Sequence, residues 1–182
     1  MRAKWLWMTV LAGLAAGCGE GHAIFNVDVY SFIKGTGRDT IAYVVPAGFS
    51  DSASSIPQKV SLPGAGSSIV DSVVVNGKMN FENQSDSGTV GVKLYLAADS
   101  LGSLNGSALA LTVPTVRVSG NAVTPDTILG RLSSNVLALF AGKELWIRLQ
   151  AQGSADPGVL PLQGNAVLKG LRLTVVMNDK FF

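Results

Sequence analysis

Apolar and polar residues alternate with a period of two along much of this chain, which is the pattern of half-buried β-strands. Residues 89–97, 144–152 and 167–177 carry the pattern most clearly. Turn-forming residues separate such runs about every ten residues, a spacing typical of β-sandwiches and β-barrels. We therefore predict a mainly β domain, an antiparallel β-sandwich or barrel-like fold of about nine strands.

A predicted hairpin and two predicted loops connect these strands. The pair Asn76 and Gly77 lies between two β-rich runs. Asn-Gly favours a type I′ hairpin turn, because both positions of that turn need a positive φ. Residues 47–57 and 153–164 are rich in Ser, Gly and Pro, and we expect them to be loops.

In one segment the spacing between apolar residues changes from two to about four. Ile128, Leu132, Val136 and Phe140 recur at helical spacing. A proline near the start of this segment and a glycine after its end fit the first helical position and the C-cap. The sequence therefore predicts one amphipathic helix near residues 125–141.

The first residues, MRAKWLWMTVLAGLAAGC, combine a basic head, a short apolar run and small residues. These are the parts of a secretory signal peptide, and the run is shorter than the roughly 20 apolar residues of a spanning helix. The sequence Leu14-Ala15-Ala16-Gly17-Cys18 resembles the lipobox of bacterial lipoproteins, with Ala15 where that family prefers Leu. The resemblance implies cleavage between Gly17 and Cys18 and acylation (palmitate or a similar chain) of Cys18.

The same resemblance divides the chain and implies its location. It gives a signal peptide over residues 1–17, a lipidated tether over residues 18–22 and a single β-rich domain over residues 23–182. Gly19 rather than Asp follows Cys18, which resembles the class of lipoproteins sent to the outer membrane. We expect a lipid-anchored cell-envelope protein on the periplasmic or the surface face of the outer membrane.

Removal of the signal peptide changes the charge of the chain. The precursor has 14 basic and 12 acidic side chains. Cleavage removes Arg2 and Lys4 and leaves 165 residues with 12 side chains of each sign. A neutral domain with scattered basic residues has no electrostatic footprint for nucleic acid. Cys18 is the only cysteine, so the fold depends on its apolar core and has no disulfide.

Catalytic candidates are sparse. His22 is the only histidine, and on a tether it is poorly positioned for Ser–His–Asp or Cys–His catalysis. The carboxylates Asp71, Glu82 and Asp86 are expected in turns or on exposed strand faces, and no recognised motif frames them. We predict that the protein is not an enzyme and uses no cofactor.

A cluster of oxygen-bearing residues raises the question of a metal. Asn80, Glu82, Asn83 and Asp86 lie within one short stretch, and calcium takes six to eight oxygen ligands. The spacing does not match an EF-hand loop, and a polar turn accounts for the same residues. We predict no metal site, and calcium binding between Asn80 and Asp86 stays open.

Four residues are candidate binding contacts. Trp146 and Arg148 are expected on the outward face of their strand, and Phe181 and Phe182 could dock on a partner or on the core of the domain itself. We expect a non-enzymatic lipoprotein that serves as a binding or structural module of a membrane-associated assembly, with an envelope protein as a candidate partner. The alternatives are a carrier of an apolar ligand in a barrel-like cavity and an enzyme of unrecognised mechanism.

Overall fold

The computed structural model describes residues 21–64, 68–104 and 109–179. The described part contains eleven strands, two short α-helices and one 3₁₀ helix. The strands are β1 (Gly21–Asp28), β2 (Thr40–Val45), β3 (Ser50–Ser54), β4 (Gln58–Ser61), β5 (Ile69–Asn83), β6 (Gly88–Ala97), β7 (Leu109–Thr112), β8 (Val116–Val118), β9 (Ala122–Arg131), β10 (Glu144–Ala155) and β11 (Leu162–Asp179). The helices are α1 (Tyr30–Ile33), α2 (Ser100–Leu104) and the 3₁₀ helix (Ser134–Ala141).

The first sheet, sheet A, is built around the long strand β11. Its order is β1-β11-β5-β9, and β2 also pairs with β11. Strands β1 and β2 share one side of β11, since β1 pairs with residues 172–179 and β2 with residues 162–167. Gly21 therefore lies opposite Asp179 at one end of this sheet.

The second sheet, sheet B, is built around β10. Its order is β3-β10-β6-β7, with β4 paired to β10 and β8 paired to β6. All strand pairs in both sheets are antiparallel. The two antiparallel sheets form a sandwich-like, mainly β fold, which confirms the predicted fold class.

The core lies between the sheets and consists of the alternate residues of each long strand. On β10 the inward positions are Leu145, Ile147, Leu149 and Ala151, each at most 4% exposed. This alternation follows from the strand period of two, which sends successive side chains to opposite faces. The even-numbered residues of β10 consequently form the outer face of sheet B.

The predicted helix near residues 125–141 is wrong over its first half, where β9 runs from Ala122 to Arg131. The second half is the 3₁₀ helix. Ile128, Val136 and Phe140 are buried as expected, but a spacing of four is also a multiple of the strand period. Pro125 is compatible with the strand because β9 lies at the edge of sheet A.

The predicted hairpin at Asn76 and Gly77 is also wrong, because both residues lie inside the continuous strand β5. Gly77 is not among the described glycines with positive φ, which are Gly35, Gly37, Gly48, Gly64 and Gly120. A Cβ atom on Gly77 would lie 2.8 Å from the carbonyl oxygen of Gly170. The glycine therefore permits a close approach of β5 to β11 and does not form a turn.

Three predicted boundaries shift. Strand β1 begins at Gly21, so His22 belongs to the sheet and the expected tether over residues 18–22 is too long. The predicted loop over residues 47–57 contains β3. The predicted loop over residues 153–164 is shortened from both ends by β10 and β11. Within the described ranges, no helix is long and apolar enough to cross a membrane.

Candidate functional site

A shallow polar groove lies on the outer face of sheet B and opens to solvent. Its volume is about 460 Å³. It is lined by Ser50, Asp51, Ser52, Thr89, Thr115, Gln152, Gly153 and Ser154. We call this the serine groove, because three serines from β3 and β10 contribute to its lining.

The strand register places these polar side chains in rows. Ser50 lies opposite Ser154, and Ser52 lies opposite Gln152. The Ser50 hydroxyl donates to the Ser154 hydroxyl oxygen at 3.0 Å. Thr89 continues the first row on the next strand, since it pairs with Ser154. The rows present neutral donors and acceptors of hydrogen bonds side by side.

Gly91 shapes one wall of the serine groove. A Cβ atom at this position would lie 2.9 Å from the Cγ2 atom of Thr115. The missing side chain lets the segment between β7 and β8 lie against the sheet, which brings Thr115 into the lining. Because a Cβ atom essentially never lies this close to another heavy atom, any larger residue at Gly91 would displace Thr115.

The serine groove carries little net charge. Asp51 is its one acidic lining residue, and the Asp51 Oδ1 atom accepts a hydrogen bond from the Ser52 backbone N–H at 2.7 Å. Arg117, whose neighbour across the ladder is Thr89, donates through two nitrogens to the Asp156 carboxylate. The described lining therefore combines neutral hydroxyl and amide groups with one carboxylate.

The groove lies at the end of the sandwich opposite Gly21. A Cβ atom on Gly88 would lie 2.7 Å from Leu162, the first residue of β11. Gly21 pairs with Asp179, the last residue of that strand. A strand rises about 3.3 Å per residue, so the 17 steps of the 18-residue β11 span at most roughly 56 Å between the two ends.

Arg148 does lie on the outer face, but it is not an exposed contact residue, which corrects that expectation. Its side chain is 4% exposed. The Nε atom donates to the backbone oxygen of Ser103, and an Nη atom donates to the Ser54 hydroxyl at 2.7 Å. The guanidinium also lies over the Tyr95 ring. Arg148 therefore holds α2 against sheet B.

Trp146 lies on the same face, next to this buried cluster and outside the serine groove. It is half-buried and pairs with Lys59 on one side and Ala97 on the other. Lys59 forms an exposed ion pair with Glu144. Gly17, Cys18, Phe181 and Phe182 lie outside the described residues. The lining of the serine groove includes neither Trp146 nor Arg148, the two predicted contact residues that the structure describes.

The oxygen-rich stretch from Asn80 to Asp86 serves the fold. The Asn83 amide is 2% exposed and donates to the backbone oxygens of Ser85, Asp86 and Gly120. Glu82 faces Lys169 at 3.9 Å. In residues 21–64, 68–104 and 109–179, no group of three or more His, Cys, Asp or Glu side chains could hold a metal ion.

Tyr43 is the described residue with a clearly perturbed titration. Burial raises the pKa of its phenol to about 12. The ring is 3% exposed, and the hydroxyl donates to the Asn83 Oδ1 atom at 3.4 Å. The hydroxyl would also lie 2.6 Å from a Cβ atom on Gly164. Tyr43 is a buried structural group beneath the Asn83 turn.

Comparisons with known proteins give similarity of fold only. No protein-family model and no curated protein matches the chain. A solved structure of infectious bursal disease virus, Gx strain, is 10% identical with a TM-score of 0.44 and covers 89% of this chain and 33% of that one. Dimeric latent PorU from Porphyromonas gingivalis is 11% identical with a TM-score of 0.39 and covers 88% of this chain and 13% of that one.

A third solved structure, TmCBM61 in complex with beta-1,4-galactotriose, is 11% identical with a TM-score of 0.28. The match covers 82% of this chain and 86% of that one. The present chain spans about a third of the length of the infectious bursal disease virus chain that it matches. The TM-scores of these three structures are too low for the likenesses to carry an argument about this chain.

Proposed function

We propose that the protein is a non-enzymatic cell-envelope lipoprotein, anchored through acylated Cys18, whose sandwich is a binding or structural module of a membrane-associated assembly. The observation that carries this proposal is the separation of two features. The lipobox-like segment joins the sandwich at Gly21, and the serine groove lies at the other end of β11. Such a module would present its groove away from the outer membrane that holds the lipid.

The short link between Cys18 and β1 supports the same proposal. Because the strand begins at Gly21, three residue steps separate it from Cys18. Fully extended, they span at most about 11 Å. A lipid on Cys18 would therefore keep the near end of sheet A at the membrane surface, and the domain could not diffuse far from it.

The interior of the sandwich favours a binding module over the two alternatives. The side chains between the sheets form one contiguous apolar cluster, which leaves the apolar-carrier alternative without a supporting observation. The carboxylates Asp71, Glu82 and Asp86 lie on β5 and the turn after it, and Glu82 faces Lys169. This arrangement gives the enzyme alternative no positive support.

A site-specific cross-linking experiment tests the binding role. A photoreactive amino acid is placed at Gln152, in the serine groove, and at Thr127, an exposed residue of β9, as the matched control. We expect one discrete adduct from position 152 in intact cells and none from position 127. The adduct should disappear in Cys18→Ser. Equal labelling at both positions, or the monomer alone at both, would contradict the proposal.

A further inference from the structure

An apolar patch lies on the outer face of sheet A, beside the point where the chain enters the sandwich. Ile24, Ile69 and Val74 are 65%, 58% and 40% exposed, and Val176 is half-buried. We call these four residues the entry patch. Isolated exposed aliphatic residues are ordinary on protein surfaces. These four residues differ from isolated ones because they lie on neighbouring strands.

The strand register brings the four side chains together. Ile24 pairs with Val176. Asn178, the next outward residue of β11, pairs with Ile69, and Thr174, the previous one, pairs with Val74. Directly opposed side chains in a sheet have Cβ atoms about 5 Å apart, and diagonal neighbours lie about 7–8 Å apart. The directly opposed pair of the entry patch is Ile24 and Val176. Ser72 lies opposite Val176 on β5, and Ile69 and Val74 flank Val176 as its diagonal neighbours.

The position of the patch identifies what covers it. Ile24 is six residue steps from Cys18, a span of at most about 22 Å. Gly21, where the described chain enters β1, is three residue steps from Ile24 and pairs with Asp179 at this end of sheet A. Acyl chains on Cys18 would therefore hold the entry patch within reach of the bilayer surface.

We infer that the entry patch docks on the lipid bilayer to which Cys18 attaches the chain. This inference rests on the lipid anchor proposed above. Acyl chains on Cys18 supply attachment, whereas the entry patch fixes the orientation of the sandwich. Apolar side chains at the level of the lipid headgroups gain free energy by leaving water.

The charges around the patch predict how the contact responds to salt. Asp71 is exposed beside Ile69, and Arg131 lies opposite Val74 on β9. Neither sign dominates, so attraction to anionic lipids is not the source of the contact. Docking should therefore occur on zwitterionic phosphatidylcholine vesicles and should be the same at low and at high salt.

Fluorescence quenching on vesicles tests the inference with the full-length, processed protein. Since acylated Cys18 is the only natural cysteine, Ile24→Cys supplies a single free thiol for an environment-sensitive dye. Val123→Cys is the matched control, because Val123 is 59% exposed and lies near the opposite end of sheet A, on β9. The vesicles contain phosphatidylcholine and a lipid with a spin label just below the headgroup.

We expect about a twofold loss of emission from position 24 and no loss from position 123, with unchanged circular dichroism spectra for both variants. Equal emission changes at both positions, or none at position 24 in vesicle-bound protein with acylated Cys18, would overturn the docking and leave the lipid anchor intact. An unmodified Cys18 in the mass spectrum would overturn both proposals.

Discussion

The guanidinium carbon of Arg148 lies 4.0 Å from the centre of the Tyr95 ring on the outer face of sheet B. The same guanidinium donates to the Ser103 backbone oxygen, so one side chain joins β10, β6 and α2. Its charge is met by a carbonyl oxygen, a hydroxyl and a ring face, and among the described residues no carboxylate pairs with it. Removal of this group should therefore release α2 first.

We predict that Arg148→Met lowers the free energy of unfolding by about 2 kcal/mol, since it removes the cation–π contact and two hydrogen bonds of a charged donor. Urea unfolding measures the loss, and hydrogen exchange should rise in α2. Lys93→Met, on the same face and the adjacent strand, is the control and should cost less than about 0.5 kcal/mol. Unchanged exchange in α2 of Arg148→Met would show that the arginine does not hold this helix.

Gly77→Ala should destabilise the protein, because the new Cβ atom would lie 2.8 Å from the Gly170 backbone oxygen. We expect a loss of about 1–3 kcal/mol from this overpacking between β5 and β11. Gly170→Ala is the matched control, since nothing lies within 4 Å of its added Cβ atom. Thermal unfolding compares the two, and equal melting temperatures would contradict the close approach of the strands.

Asn83→Ala should cost about 1–3 kcal/mol, because it removes a buried amide whose hydrogen bonds hold the backbone oxygens of Ser85, Asp86 and Gly120. Asn80→Ala, on the same strand, is the control, since the described residues offer the half-buried Asn80 amide no hydrogen bond. Asn83→Asp should be worse than Asn83→Ala at neutral pH, because it buries a carboxylate among carbonyl oxygens. Urea unfolding of the three variants gives the order directly.

The raised pKa of the buried Tyr43 phenol should make the folded protein less stable at alkaline pH. The unfolded phenol has a pKa of 10.0 and the folded one a pKa of about 12. Between these values the folded state retains a proton that the unfolded state releases, so stability falls as the pH rises from 10 to 12. The difference between the two pKa values corresponds to a loss of about 2–3 kcal/mol in the free energy of unfolding. Tyr43→Phe should flatten this part of the pH profile, and an identical slope in both proteins would argue against burial of the phenol.

The sequence predicted the sandwich where burial and strand period agree. The inward residues of β6 and β10 recur at every second position. Those of β11 do so on either side of the irregularity between Leu168 and Gly170. Over residues 125–141 the sequence does not distinguish a helix from a strand. Apolar residues four positions apart share one face of a helix, and they also share one face of a strand. Residues 122–131 form a strand because they pair with β5. Local propensity cannot reveal such a long-range pairing.

Long-range pairing also explains the other differences. Asn76 and Gly77 have partners on both β9 and β11, and these ladders outweigh the local preference for a turn. The alternating serines of residues 50–54 are the sequence feature that could have indicated the serine groove. A strand that is exposed on nearly every residue has no hydrophobic alternation, so the sequence predicts a polar loop in this stretch.

The central claim is the lipid anchor at Cys18, and intact-mass spectrometry of the protein extracted from membranes tests it most directly. We predict a chain that begins at Cys18 and carries the added mass of thioether-linked and amide-linked acyl groups. Cys18→Ser should accumulate as the uncleaved precursor. A chain that still contains residues 1–17, or one that begins at Cys18 without added mass, would contradict the account.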